Sequence, residues 1–182
     1  TATALQMVAA VNTVANNGVY VAPKLILKTT DKDGVETSTP SSPSHQVVSS
    51  QTAKTMTSMM TDVVCYGTGK LAKLPGLSVA GKTGTAYKLQ ENGKYTNDEG
   101  ARTYFASFVG FLPANNPRMT VLVSIDEPDS SSLDRFGGTA AAPVFARIGQ
   151  VLVNELNIRP EGGELLTEGQ SLWDAIRARD AA

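Results

Sequence analysis

"GLSVAGKT" (residues 76–83) fits the phosphate-loop pattern G-x-x-x-x-G-K-[ST] letter for letter, and "VLVSIDE" (121–127) follows as an apolar run ending in two acids. A phosphate loop works because a buried strand delivers a glycine-rich turn to a helix N-terminus. Backbone N–H groups and the helix dipole then meet the phosphates. Upstream of Gly76 stands "GTGKLAKLP", which is no apolar strand, and Leu77, Ser78, Val79 and Ala80 alternate as strand residues do. Downstream of Thr83 come Gly84, Thr85 and Tyr87 and then a Gly/Asn-rich turn, a poor start for a helix. The stretch 77–88 therefore reads as a strand. "VLVSIDE" becomes a core strand whose acids reach the surface at its end.

Two further strands follow, over 103–112 and 118–126. The long polar loop "LQENGKYTNDEGA" precedes the first, and the short turn "PANNP" joins the two, favouring an antiparallel hairpin. "TYFASFVGFL" is apolar on both alternating faces, which predicts a central strand covered on both sides. Thr139 opens a helix to about Glu155, with Val144, Ile148, Val151 and Leu152 as its expected core stripe.

Toward the N-terminus, "TALQMVAAVNTVANNG" carries Leu5, Val8, Val11 and Val14 at near-helical spacing and predicts a helix over 3–16, with Gly18 as its stop. "VYVAPKLILKTTDKDGVETS" predicts an extended pair reversing at Asp33-Gly34. Residues 37–46 are rich in Ser, Thr and Pro and read as a loop that leaves His45 solvated. Ser49 or Ser50 caps a second helix running to about Cys65, with Met56, Met59, Met60 and Val63 as core packing. After residue 155 the chain becomes a Pro/Gly-rich linker and tail (156–182), with a short helix expected around Leu172 to Arg177, anchored by Trp173 and Ile176.

Composition narrows the function classes. With 41% apolar and 18% charged residues the chain is an ordinary globular sequence, and its net charge of −1 gives no electrostatic case for nucleic acid or an anionic membrane surface. Cys65, the single cysteine, excludes an internal disulfide and reads as a small buried side chain on a helix. The one histidine and one cysteine cannot form a Cys/His metal cluster, and nothing calls for a cofactor.

On an edge strand, Lys82 and Gly84 point one way and Thr83 and Thr85 the other. Gly84 then lets another backbone approach closely, and an extended peptide can add to the edge by strand pairing. Lys82 places a cation beside such a site, the threonine hydroxyls can donate to a carboxylate, and a strand N–H can stabilise an oxyanion. The same features also describe a non-catalytic peptide-binding module.

The segments "GTGKLAKLPGLSVAGKTGTAYK" (67–88), "YFASFVGFLPANNPRMTVLVSIDEP" (104–128), "GGTAAAPVFARIGQ" (137–150) and "TALQMVAAVNTVANNGVYVAPKLI" (3–26) decide between these. Together they resemble the C-terminal half of the transpeptidase domain of a class B, cell-division type penicillin-binding protein, covering about residues 1–155; Lys-Thr-Gly is a motif of that family. The resemblance implies an α+β fold of the serine β-lactamase/D,D-transpeptidase type: an antiparallel sheet with helices on both faces. It implies a peptidoglycan D,D-transpeptidase that works through an acyl-serine and binds the D-Ala-D-Ala stem peptide and β-lactams. Lys82 is then expected to assist proton transfer, and Thr83, Gly84 and Thr85 to bind substrate, with an oxyanion N–H near Thr85. It also implies an extracytoplasmic, membrane-anchored setting with division or elongation proteins as possible partners. A β-lactamase or D,D-carboxypeptidase shares the Lys-Thr-Gly strand, but by the same resemblance the segments "TALQMVAAVNTVANNG" (3–18) and "ASFVGFLP" point away from both.

Two family motifs are missing. No lysine has a serine three residues before it and no asparagine has one two residues before it, so Ser-x-x-Lys and Ser-x-Asn are both absent. The nearest pattern, Thr85-Ala-Tyr-Lys88, lies within the third motif and is not a credible nucleophile. The resemblance therefore implies a piece of a longer protein, inactive alone and prone to self-association through uncovered apolar surface.

Overall fold

The computed structural model describes residues 2–98, 100–128 and 135–159. The expected tail helix, with Trp173 and Ile176, lies outside them. Helix α1 (Ala4–Ala15) starts at a capping box: Thr3 Oγ1 accepts from the Gln6 N–H, and Gln6 Oε1 accepts from the Thr3 N–H. Strand β1 (Val19–Val21) follows, then the hairpin β2 (Lys28–Thr30) and β3 (Glu36–Ser38), reversing around Asp33-Gly34 as expected. Strand β4 (Ser44–Gln46) pairs antiparallel with β1, so the predicted 37–46 loop contains strand. Its composition hides this because the pairing rests on backbone hydrogen bonds, with no apolar alternation. His45 is exposed as expected, with its ring 5.3 Å from that of Tyr20 across the pair.

Ser49 caps helix α2 (Ser50–Cys65) by accepting from the Thr52 N–H. After a 3₁₀ turn (Lys70–Ala72), strands β5 (Ala80–Tyr87), β6 (Tyr104–Leu112) and β7 (Met119–Asp126) form an antiparallel sheet in the order β5-β6-β7. The register is continuous, from Ala80 opposite Phe111 to Tyr87 opposite Tyr104, and from Phe105 opposite Asp126 to Leu112 opposite Met119. A π turn (Gly137–Ala141) leads into helix α3 (Ala142–Glu155).

Each face of the sheet carries its own core. On one, Ala80 and Phe111 pack with Met60 of α2 and with Val11, Val14 and Ala15 of α1. On the other, Phe108, Leu112 and Val123 pack with Leu74, Val79 and the α3 residues Ala142, Phe145 and Val153. Helix α2 crosses the β5 edge, giving Met60 to one core and Val64 to the other. Helices thus cover both faces, and β6 is the central strand, with Phe108, Phe111 and Leu112 fully buried.

Two helix faces, on α3 and α2, differ from expectation. On α3 the buried residues are Ala142, Phe145, Ala146, Gly149 and Val153, while Val151 is 59% exposed and Val144 and Ile148 also face outward. Both stripes satisfy a 3.6-residue period. The small one wins because the helix must approach closely: a Cβ on Gly149 would come within 2.8 Å of Leu74 Cδ1. On α2, Ala53, Met60 and Val64 are buried, whereas Met56 and Met59 are exposed and Val63 is half-buried. On α1, Leu5 is exposed and Val11 and Val14 make the contact. Cys65, at the end of α2, is half-buried rather than fully buried.

The π turn lies directly on the sheet. A Cβ on Gly137 would come within 2.3 Å of the Ser107 carbonyl oxygen and 2.4 Å of that of Gly84, so only glycine fits. Replacing Gly137 with Ala forces this segment off β5 and β6 and is expected to cost about 1–3 kcal/mol, as other overpacked sites do, measured by denaturant unfolding. Phe108→Ala, which empties the better-filled core, is expected to cost about 3–5 kcal/mol in the same measurement.

Candidate functional site

The strand that carries the Lys-Thr-Gly sequence is the open edge of the sheet: among the described residues β5 pairs only with β6. Only the second half of the phosphate-loop pattern lies on this antiparallel strand, which starts at Ala80 rather than at the expected 77 because Gly76 sits in a turn with φ +69°. Lys82 and Thr83 stand in the strand interior, with no helix directly after it. The acids of "VLVSIDE" serve the sheet. Asp126 and Glu127 lie 2.8 and 3.3 Å from Lys88 Nζ, and the hydrogen bond that Lys88 donates to Asp126 is foremost in holding that ammonium above its ordinary pKa. Thr85 and Lys88, of opposite parity on an extended chain, point to opposite faces, so Thr85-x-x-Lys88 cannot act as a nucleophile–base pair.

Lys82 and Gly84 face α1. They border a groove of about 260 Å³ between the sheet and the start of α1, lined also by Met7, Phe105, Ser107 and Leu122. Lys82 Nζ donates to the Thr83 carbonyl oxygen at 2.9 Å, which holds the exposed ammonium against its own strand. Gly84 lies opposite Ser107, and a Cβ there would sit 2.5 Å from Ser107 Oγ. The glycine leaves this part of the groove to the serine hydroxyl and to whatever approaches it.

Thr83 and Thr85 face the other side and meet residues from two distant parts of the chain. Thr83 Oγ1 and Thr68 Oγ1 are 2.7 Å apart. Thr85 Oγ1 accepts the Gly137 N–H at 3.1 Å, which leaves its own O–H proton available to a ligand. Gly138 closes the arrangement, since a Cβ on it would lie 2.3 Å from the Thr68 carbonyl oxygen and 3.6 Å from Thr83 Cγ2.

The backbone completes the site. The Lys88 N–H donates to Thr103 O at 3.0 Å, so the alternation of an antiparallel ladder turns the even-numbered N–H groups of β5 toward β6. The N–H groups of Thr83 and Thr85 then point outward along the open edge. One cation, two oriented hydroxyls and two outward N–H donors thus lie within four consecutive residues. Such an arrangement can bind a carboxylate and stabilise negative charge developing on a carbonyl oxygen.

Sequence reasoning places Lys82, Thr83, Gly84 and Thr85 on one edge strand with the observed alternation. It misses Thr68 and Gly137, which fix the two threonine hydroxyls. The available signal was crowding of glycine, in "GTG" (67–69) and "GG" (137–138), at points where chain segments touch.

Comparison with known proteins gives the family and the fold. Residues 1–150 match the family described as the penicillin binding protein transpeptidase domain. The chain is 35% identical over 165 residues to stage V sporulation protein D of Bacillus subtilis, covering 90% of this chain and 24% of that protein. It is 38% identical over 119 residues to the peptidoglycan D,D-transpeptidase FtsI of Buchnera aphidicola, covering 65% of this chain and 19% of that protein. Its fold superposes on the crystal structure of penicillin binding protein 3 from Mycobacterium tuberculosis complexed with aztreonam, with a TM-score of 0.74 and 34% identity over 87% of this chain and 36% of that one. The chain thus spans a quarter or less of the length of these two curated relatives. Motif, fold and sequence agree: the chain belongs to the penicillin-binding-protein transpeptidase family and has the fold of the serine β-lactamase/D,D-transpeptidase class.

Proposed function

We propose that this chain supplies the Lys-Thr-Gly wall of the active-site cleft of a peptidoglycan D,D-transpeptidase. The observation that carries the reading is the open β5 edge, where Lys82, the Thr83 and Thr85 hydroxyls and the outward N–H of Thr85 stand together. A stem peptide lies along this edge in extended form, with Gly84 allowing close approach. The hydroxyls of Thr83 and Thr85 donate to its terminal carboxylate. A serine hydroxyl attacks the carbonyl of the penultimate D-Ala, and the Thr85 N–H receives the charge that develops on oxygen. Lys82 assists the proton transfers and draws the anionic ligand in. The peptide bond breaks, D-Ala leaves with the proton, and an amine from a neighbouring stem displaces the serine to form the cross-link. β-Lactams acylate the same serine, a reading supported by the mycobacterial relative, which is described in complex with aztreonam.

The serine belongs to a Ser-x-x-Lys motif that these 182 residues do not contain. Catalysis is therefore assigned to the protein as its gene encodes it, working at the extracytoplasmic face of the membrane, in a cell-division role and beside division or elongation proteins. No helix among the described residues is long and apolar enough to cross a membrane. The 182-residue chain alone is proposed to be inactive. It exposes Leu25 (95%) and Leu27 (72%) beside Ile26, and we expect it to self-associate.

Labelling with a fluorescent penicillin tests the reading. The gene product should be labelled covalently, and Lys82→Ala should slow labelling by about 10²-fold or more, the usual weight of an acid–base group. A gene product that stays unlabelled while binding stem peptide would instead be a non-catalytic peptide-binding module. Covalent labelling of the 182-residue chain would contradict the assignment of the nucleophile.

A further inference from the structure

We propose that Thr68 is a positioning residue for carboxylate recognition, donating its hydroxyl proton to Thr83 so that Thr83 can donate its own to the ligand. The inference rests on the functional reading above and goes beyond it by assigning the direction of one hydrogen bond.

Thr68 Oγ1 and Thr83 Oγ1 are 2.7 Å apart, and each hydroxyl carries a single proton. One of the two protons lies between the oxygens. If it were that of Thr83, the Thr83 oxygen would face an arriving carboxylate with lone pairs alone and repel it. Only with Thr68 as donor is the Thr83 proton free for the ligand. An anion at Thr83 therefore selects the order Thr68 O–H to Thr83 O–H to carboxylate, in which each bond polarises the next.

The surroundings hold both partners in place. The N–H groups of Gly67 and Gly69, on either side of Thr68, donate to the Val63 carbonyl oxygen at 3.1 and 3.0 Å, which ties this turn to the end of α2. On its other side the Thr68 carbonyl meets Gly138, where a Cβ would intrude to 2.3 Å. Thr83 is branched at Cβ, and its methyl lies toward Gly138 while its hydroxyl lies toward Thr68, so its χ1 is set by contacts on both branches. Thr68 does not need to touch the ligand. It fixes where the Thr83 proton points.

The test is a kinetic comparison in the gene product. Thr68→Val keeps the shape and removes the hydroxyl; Thr68→Ser keeps the hydroxyl. With a stem-peptide mimic ending in a D-Ala-D-Ala carboxylate, the valine variant should lose about three- to tenfold in kcat/KM, the range for one hydrogen bond, through KM with kcat retained. The serine variant should stay within about twofold of wild type, a change too small to mark the loss of a hydrogen bond. With the same mimic ending in an amide, wild type and valine variant should be equal. Should the valine variant unfold at lower temperature, Thr68→Ala takes its place against the same serine control. Equal losses on carboxylate and amide, or no loss on the carboxylate, would overturn the assignment while leaving the transpeptidase reading intact. A wild-type protein that neither turns over nor acylates would remove that reading itself, and this assignment with it.

Discussion

The edge-to-face contact between Phe108 and Phe145, with ring centroids 4.8 Å apart, is the interaction on which the rest of the structure depends. Phe108 stands on the central strand directly opposite Thr83, and its ring reaches across β5 so closely that a Cβ on Gly81 would fall 2.3 Å from Cζ. The same ring approaches Gly69, on the turn that carries Thr68. One buried aromatic side chain therefore sets the height of α3 above the sheet, the path of β5 before Lys82 and the position of the Thr68 turn. Burial of this ring and of its neighbours on β6 is the main favourable contribution at this centre, since fully burying a side chain of this size is worth about 1.5–3 kcal/mol.

Most of the sheet could be read from residue pattern alone, because its signals are local. Alternation marks β6 and β7, "PANNP" joins them, and Thr3 and Ser49 begin the helices that follow them. The parity of Lys82 and Gly84 against Thr83 and Thr85 also followed from strand geometry, while the edge position of β5 came only with the family resemblance. The helix faces did not. Val144, Ile148 and Val151 form as regular a stripe as Ala142, Phe145 and Gly149, and hydrophobicity favours the wrong one. The choice is made by close approach to Leu74 and Phe108, residues about seventy and forty positions away in the chain. Strand β4 was hidden for a related reason, since its exposed residues leave only backbone pairing with β1 as a cue.

The candidate site divides along the same line. Its chemical groups lie in four consecutive residues, so sequence displays them. The residues that orient those groups, Thr68 and Gly137, lie 15 and 52 positions from their partners, and only folding brings them together. The match of "GLSVAGKT" to a phosphate loop shows the converse hazard. A pattern of letters carries no chemistry until the backbone beneath it is known. Here that backbone is extended, so the Lys and Thr that would converge at a helix start are sent to opposite faces of a sheet.

Gly137 limits how this cleft can change over evolutionary time. With the Ser107 and Gly84 carbonyl oxygens both too close to admit a methyl group, every larger residue is barred from a position one contact away from Thr85. Variation that alters ligand selectivity must then be recruited from the rim, at exposed positions such as Tyr87 and Phe136, where side chains can be exchanged without moving the strand. A larger residue at Gly137 can enter only if the turn that carries it moves off β5 and β6.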